Sequence, residues 1–241
     1  MYCIVNQIFG GNFLNKGEIV MNIKIDEKKI KVIKFEDKNY PEKLKNIYAK
    51  PEKLYVLGNE ELLNNNSIAI IGSRDCTKYG TQNALKFSYE LAKKNICIIS
   101  GFARGIDTYA HIGALKASGK TVAVLGCGLD EIYPSTNFNL YKEILISGGA
   151  IISEYPLGSK PDKYHFPIRN RIISGLSDGV LVIEAKEKSG TLITVDYALD
   201  QGKNVYALPG NIDSLNSAST NNLIKEGAIP VTNIDDILIN F

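Results

Sequence analysis

From residue 67 onward, short apolar runs alternate with longer stretches in which apolar residues recur every three or four positions. The runs at 67–73, 96–100, 121–125, 150–153, 180–184 and 204–208 are continuous rather than alternating, as strands buried on both faces require. Between them, residues 77–94, 107–117, 137–147, 168–176 and 191–200 carry helical spacing. In the first of these, Ala84, Leu85, Phe87, Ser88, Leu91 and Ala92 mark the apolar side. Strand and helix in alternation predict an α/β fold, a doubly wound, mostly parallel sheet with helices on both faces. Such sheets bind ligands in the crevice outside the carboxyl ends of their strands. There the first three strands run into Gly72, Gly101 and Gly126, and the last into Pro209-Gly210.

The region before residue 67 is less regular. A short helix and a strand are expected between Tyr40-Pro41 and Leu57-Gly58. Residues 1–35 are rich in Lys, Asn and Ile and are broken by Gly10-Gly11. Ile23, Ile25, Ile30, Val32 and Ile33 suggest one or two short strands around Asp26-Glu27-Lys28-Lys29, and Met21 is an alternative start. The expected division is a short N-terminal segment, 1–37, without an assigned role, and one domain, 38–241.

Composition narrows the class. The 241 residues suffice for one large domain plus an appendage. Apolar and charged shares of 44% and 22% are those of an ordinary globular protein. No apolar run approaches the ~18 residues of a membrane span, and the first residues lack the basic region and cleavage site of a signal peptide. Cys3, Cys76, Cys97 and Cys127 are scattered without a Cys-x-x-Cys pair, which favours free thiols in a reducing cytoplasm over disulfides or zinc ligands. A net charge of +2 argues against a histone-like coating of nucleic acid, so any polyanion site must be a local patch.

The patch is announced by arginine. Against 24 lysines stand four arginines, Arg74, Arg104, Arg169 and Arg171, all in Gly-rich or aromatic segments read as loops after strands. Where lysine is the default cation, arginine is expected where a planar fork must grip phosphate or carboxylate. Gly72-Ser73-Arg74 offers close backbone approach, a hydroxyl and a charge, although a plain strand-to-helix turn has the same composition. Lys160 to Ser174 holds Lys160, Lys163, Arg169 and Arg171 against Asp162, a local net of +3, interleaved with His165 and Phe166. A single nucleic-acid strand needs that mixture of phosphate-binding cations and rings on which bases stack. In the alternative reading Phe166 anchors the loop in the core and Arg171 pairs with Glu184 or Asp178. Lys188-Ser189-Gly190-Thr191 opens a helix and reads equally as a phosphate cradle or as N-capping by Ser189.

Other segments point away from catalysis. Asp107 and His111, one helical turn apart, read as metal ligands or as a base and its orienter. The reading carried forward is structural, with Asp107 capping amides, His111 packed beside it and Arg104 pairing with Asp107. Gly126-Cys127-Gly128-Leu129-Asp130 begins like a dinucleotide fingerprint but continues with Glu131 instead of Gly. Tyr133-Pro134 reads as a turn. There is neither a Walker loop nor a complete Gly-x-Gly-x-x-Gly.

Taken in order, the motifs are more specific than any one alone: Tyr40-Pro41; Ile70-Ile71-Gly72-Ser73-Arg74; Ser100-Gly101-Phe102-Ala103-Arg104-Gly105-Ile106-Asp107; Ala110-His111; Gly128-Leu129-Asp130 with Tyr133-Pro134; Ser153-Glu154; Phe166-Pro167-Ile168-Arg169-Asn170-Arg171-Ile172-Ile173; Glu184-Ala185; Ser189-Gly190-Thr191; Pro209-Gly210; Leu223-Ile224 with Gly227-Ala228. Over residues 38–232 this series resembles the bacterial DNA-processing protein A family (DprA, also called Smf). The resemblance implies an extended Rossmann-like domain that binds single-stranded DNA without strong sequence preference, dimerises, protects incoming DNA in natural transformation and loads the RecA recombinase. It implies no catalytic activity, cofactor or metal. Carried over by motif, Gly72, Ser73, Arg74, Gly101, Lys163 and Phe166 form the DNA pocket, with Asn170 and Lys188, and Arg169 joins the patch. Arg104, Asp107, His111, Arg171 and Glu184 support it, and Leu223 and Ile224 lie at the dimer surface.

Three departures from the family pattern stand out. Only a short dissimilar segment precedes residue 38 where the family often has a helical domain. The chain stops at Phe241, where many members continue into a winged helix. Ser219 stands where the family usually has Gly in its Gly-x-Asn-x-Leu-Ile stretch. Two alternatives to the leading reading are a nucleotide- or nucleoside-monophosphate-acting enzyme of the phosphoribohydrolase type and a DNA-binding relative carried by a mobile element. The former carries a Pro-Gly-Gly-x-Gly-Thr stretch, whereas this chain has Pro209-Gly210-Asn211.

Overall fold

The structure, a computed structural model, describes Met21–Asn22 and residues 25–241. Cys3, Gly10-Gly11 and Ile23 of the sequence reading lie outside the described residues. In chain order the elements are β1 (Met21–Asn22), β2 (Ile30–Lys34), α1 (Glu42–Lys45), β3 (Lys53–Gly58), β4 (Ser67–Ile71), α2 (Lys78–Lys93), β5 (Cys97–Ser100), α3 (Ile106–Lys116), β6 (Thr121–Leu125), β7 (Glu131–Ile132), α4 (Phe138–Ile146), β8 (Ala150–Ser153), α5 (His165–Leu176), β9 (Gly179–Val182), α6 (Gly190–Asp200), β10 (Asn204–Ala207), α7 (Ala218–Lys225), β11 (Ile229–Pro230) and α8 (Asp235–Leu238).

Nine strands form one sheet in the order β11-β10-β9-β4-β5-β6-β8-β3-β2. From β11 to β8 every pairing is parallel, and β3 and β2 close that end antiparallel. Alternate residues of each strand feed opposite faces. Ala69 and Ile71 pack with Ile172, Ile173 and Leu176 of α5, Val195 of α6 and Leu44 of α1. Ile68 and Ile70 pack with Phe87 and Leu91 of α2 and Ile106 and Ala110 of α3. At the β8 end, Ala123, Leu125 and Ile151 meet Leu140, Tyr141 and Ile144 of α4. The expected doubly wound α/β sheet, covered on both faces, is what forms.

Winding direction places the ligand edge. The chain moves outward through β4, β5, β6 and β8, then returns beneath the sheet along α5 to lay β9 on the other side of β4. The strand order therefore reverses at β4 and β9, and a crevice opens beyond their carboxyl ends.

Residues before 38 take part in the sheet: β2 pairs with β3 residue for residue, and Ile33 is buried in the core. One expectation is corrected. The helix expected at 168–176 begins three residues earlier, at His165, so Phe166 joins Arg169 and Arg171 on α5, and neither arginine lies in a loop. Pro167 sits in the first helical turn, where backbone amides have no intrahelical acceptor and proline removes no bond.

Candidate nucleic-acid interface

At the switch point lies a cleft of about 670 Å³. Its walls are the β4 loop with Gly72, Ser73 and Arg74, the first turns of α5 with Lys163 just before them, and the β9 loop leading into α6. Five cations line it (Arg74, Lys163, Arg169, Lys186, Lys188) against three acids (Asp75, Asp107, Glu187).

The β4 loop is fixed by backbone bonds to both neighbours. Ser73 N–H donates to Glu184 O at 2.7 Å, and Ile106 N–H donates to Ser73 O at 3.2 Å. Gly72 is required at this crossing, since a β-carbon would sit 2.7 Å from Ile106 Cγ1 and 2.8 Å from Glu184 O. The Glu184 carboxylate, itself buried, accepts from Thr77 N at 2.9 Å and Asn216 Nδ2 at 3.3 Å. Glu184 thus ties the β9 strand end to the start of α2. Arg74 is left exposed, its guanidinium 5.8 Å from the Phe166 ring centroid.

Beneath this loop lie two nearly buried ionisable groups, Asp107 and Arg169. Asp107 Oδ2 accepts from Gly101 N at 3.1 Å and Ala103 N at 3.3 Å, the amide-capping role expected of it. Burial pushes its pKa up to about 6, against the pull of Arg169. Arg169, 4% exposed, donates to Gly101 O at 2.7 Å, to Val124 O and to Asn170 Oδ1 at 3.2 Å. Burial lowers its pKa to about 10. Gly101 lies between the two groups, where a β-carbon would be 2.8 Å from Asp107 Oδ2 and 2.9 Å from Arg169 Nη2. Arg169 therefore lines the cleft floor while its donors hold the β5 and β6 ends together, a bracing role rather than that of an open patch cation. Among the described residues exposed Arg104 forms no ion pair with the buried Asp107.

Arg171 also has a different partner from the one expected. It forms a bidentate pair with Glu154, Nη1 to Oε1 at 2.8 Å and Nη2 to Oε2 at 2.6 Å, and donates from Nε to Ala49 O at 2.7 Å. Neither Glu184 nor Asp178 is involved: Asp178 pairs with Lys43 at 2.7 Å. His111 is fully buried, its Nδ1 2.7 Å from Thr121 Oγ1. Thr121 donates its own hydrogen to Ile98 O at 2.6 Å, which makes His111 Nδ1 the donor and leaves Nε2 without a partner. Burial drives the His111 pKa down to about 3. The pair read as possible metal ligands is thus divided between a capped carboxylate and a sealed neutral imidazole.

Phe166 forms the aromatic wall. Its ring packs over the backbone of Gly126 and meets the Tyr133 ring at 5.5 Å between centroids. Gly126 opens no dinucleotide cradle: the Gly128 amide that follows donates to Ser159 O at 2.8 Å, and Asp130 accepts from Gly158 N. Lys163 is exposed, its ammonium 4.9 Å from the Tyr164 ring centroid. On the opposite wall Ser189 caps α6 by accepting from Thr191 N at 3.2 Å, and Lys188 before it takes a left-handed φ of 56°. Asn170 Nδ2 reaches towards Gly190 O at 3.5 Å, linking α5 to that wall.

Sequence reading missed three features. Tyr133, read as a turn, lines the cleft. The Tyr155 and His165 rings stack at 3.9 Å beside it. Ser219, the departure from the family pattern, donates to Lys186 O at 2.9 Å and so anchors the cation-bearing loop. No local pattern marks them, since each acts through a partner distant in sequence. The expected dimer-surface pair divides as well. Leu223 is buried in the core, and Ile224 is partly buried against it. Cys97 and Cys127 are buried free thiols and Cys76 is half-buried. Among the described residues no cluster of His, Cys, Asp and Glu fits a metal ion, and no helix is long and apolar enough to cross a membrane.

A doubly wound sheet with cations and an aromatic ring gathered at its switch point defines the class, a Rossmann-like protein. The chain belongs to the DNA recombination-mediator protein A family, whose model matches residues 31–241. It is 44% identical over 205 residues to the DNA processing protein DprA of Streptococcus pneumoniae, spanning 85% of this chain and 72% of that one. It is 46% identical over 201 residues to the protein Smf of Escherichia coli, spanning 83% and 54%. The X-ray structure of the Streptococcus pneumoniae DprA superposes with a TM-score of 0.83 at 43% identity, covering 89% of this chain and 75% of that one. The structure of DNA processing protein A from Helicobacter pylori, described for that protein's single-stranded DNA binding mode, superposes with a TM-score of 0.76 at 33% identity, covering 85% and 96%. Family membership gives the chain a DNA-processing role.

Proposed function

We propose that this protein holds single-stranded DNA in the switch-point cleft, without catalysis. In this reading phosphates lie against Arg74, Lys163 and Lys188 and a base stacks on Phe166, with the amides and hydroxyl of Gly72-Ser73 at the backbone. The supporting observation is the placement of the Phe166 ring among cations at the ligand edge, with Arg74 5.8 Å from its centroid. Unpaired bases offer rings and phosphates together, whereas duplex DNA hides its base faces. The candidate base His111 is sealed in the interior, which favours binding over an enzyme acting on nucleotides. As a cytoplasmic recombination mediator acting as a homodimer, the protein would shield the bound strand and load RecA onto it in natural transformation. Ile224 is the residue of the expected pair left for a dimer contact.

The test is anisotropy titration of labelled single-stranded and double-stranded oligonucleotides. The single strand is expected to bind more tightly, and Phe166→Ala to weaken it about 10-fold, within the ~1–3 kcal/mol of a stacked base. Equal affinity for both forms, unaffected by Phe166→Ala, overturns the reading. RecA loading is tested separately, by whether the protein restores RecA filament growth on strands coated with single-strand-binding protein.

A further inference from the structure

Phe166 is not the only ring at the cleft. Tyr133 keeps 45% of its surface exposed, lines both the main cleft and a recess of about 30 Å³ beside it, and its hydroxyl has no partner among the described residues. Its backbone is held firmly on both sides. Before it, Ile132 of β7 is buried in the core. After it, buried Asn137 donates from Nδ2 to Phe102 O at 3.0 Å and Thr108 Oγ1 at 2.9 Å. An exposed ring on so fixed a base is preorganised for contact, because little freedom remains to be lost on binding.

The two rings stand 5.5 Å apart between centroids, inclined at 32°. A base inserted between them needs about 7 Å, twice the ~3.4 Å stacking rise of a strand. They therefore do not clamp a single base between them. The recess at their seam is lined by the exposed Arg74 and Arg104 and by the buried Arg169, so arginine borders the point where a phosphate joining two adjacent bases would lie.

We propose that Tyr133 is a second base-stacking residue, so that successive bases rest on Phe166 and Tyr133 with their linking phosphate towards Arg74 and Arg104. This rests on the reading of the cleft as a single-strand site and extends it from one base to two.

The experiment titrates fluorescein-labelled oligothymidylate with the full chain and with Tyr133→Ala, Tyr133→Leu, Tyr133→Phe, Phe166→Ala and Lys163→Ala, each checked for an unchanged melting temperature. Tyr133→Ala is expected to weaken binding about 5- to 100-fold, and Tyr133→Leu, which keeps bulk without a π face, nearly as much. Tyr133→Phe should retain affinity, and the slope of log K against log salt should not change. Wild-type binding by Tyr133→Ala, or by Tyr133→Leu should the alanine variant not fold, while Phe166→Ala is weakened, overturns the proposal and leaves the cleft reading standing. Loss in Tyr133→Phe equal to that in Tyr133→Ala also overturns it, by assigning the contact to the hydroxyl. Wild-type binding by the Tyr133, Phe166 and Lys163 variants together overturns the cleft reading itself.

Discussion

The Phe166 ring closes directly over Gly126, so tightly that a β-carbon at residue 126 would lie 2.9 Å from Phe166 Cδ1 and 3.2 Å from Cε1. The glycine that resembled the start of a nucleotide loop is instead the seat of the aromatic wall. Gly126→Ala should push the ring out of place and weaken single-strand binding about 10-fold, the scale of one stacked base, with the salt slope retained. Anisotropy titration at two salt concentrations checks this.

Arg171 and Glu154 form a mostly buried bidentate pair, with side-chain exposures of 7% and 16%. Breaking such a pair leaves an uncompensated charge and costs about 3–5 kcal/mol. Arg171→Met should lower the melting temperature by roughly 6–20 °C in a chain of this size. It should leave the salt slope of DNA binding unchanged, because its guanidinium is turned away from the ligand. Calorimetry beside binding titrations separates the two effects.

His111 makes the fold acid-labile. Its folded pKa, near 3, lies below the ordinary value of 6.5, so the neutral ring stabilises the fold above pH 6.5 and that contribution is lost as pH falls towards 3. The slope is at most about 1.4 kcal/mol per pH unit. Asp107 works the other way: raised to about 6, it favours the fold below the usual carboxylate range and loses that contribution as pH rises through 6. Denaturant unfolding at pH 7 and pH 5 should show a smaller acid loss for His111→Asn than for the wild type, by about 2 kcal/mol.

Ser219 tests whether the β9 loop matters. Its hydroxyl holds Lys186 O, and the loop carries Lys186 and Lys188 on the cleft wall. Ser219→Ala should raise amide exchange in residues 186–189 and weaken binding a few-fold, on the scale of one lost hydrogen bond of about 1 kcal/mol. Unchanged exchange there would show that the loop is held by other contacts.

Much of the fold was legible because it depends on local pattern. Thr121–Leu125 and Ala150–Ser153 appear with the boundaries expected, since continuous apolar runs between polar turns have few other solutions. Arg74, Lys163 and Phe166 were legible as a gathering of charge and ring at one kind of position. What stayed hidden depends on pairing across the fold. Nothing near Arg171 points to Glu154, nothing near Arg169 shows that its donors face carbonyls, and Tyr133 becomes a cleft residue only once α5 brings Phe166 beside it. The helix expected from residue 168 starts at His165, because its first turn, which holds Pro167, needs no intrahelical amide bonds and so leaves no apolar spacing to read.

The central claim is that exposed cations at the switch point hold the phosphates of a single strand. The most direct measurement is the slope of log K against log salt for single-stranded DNA, taken for the wild type, Arg74→Ala, Lys163→Ala and the double variant. Each lost phosphate contact should reduce the magnitude of the slope by about 0.7, and the double variant should lose about twice that, with affinity falling in step. Slopes and affinities equal to the wild type in the folded double variant would contradict the account.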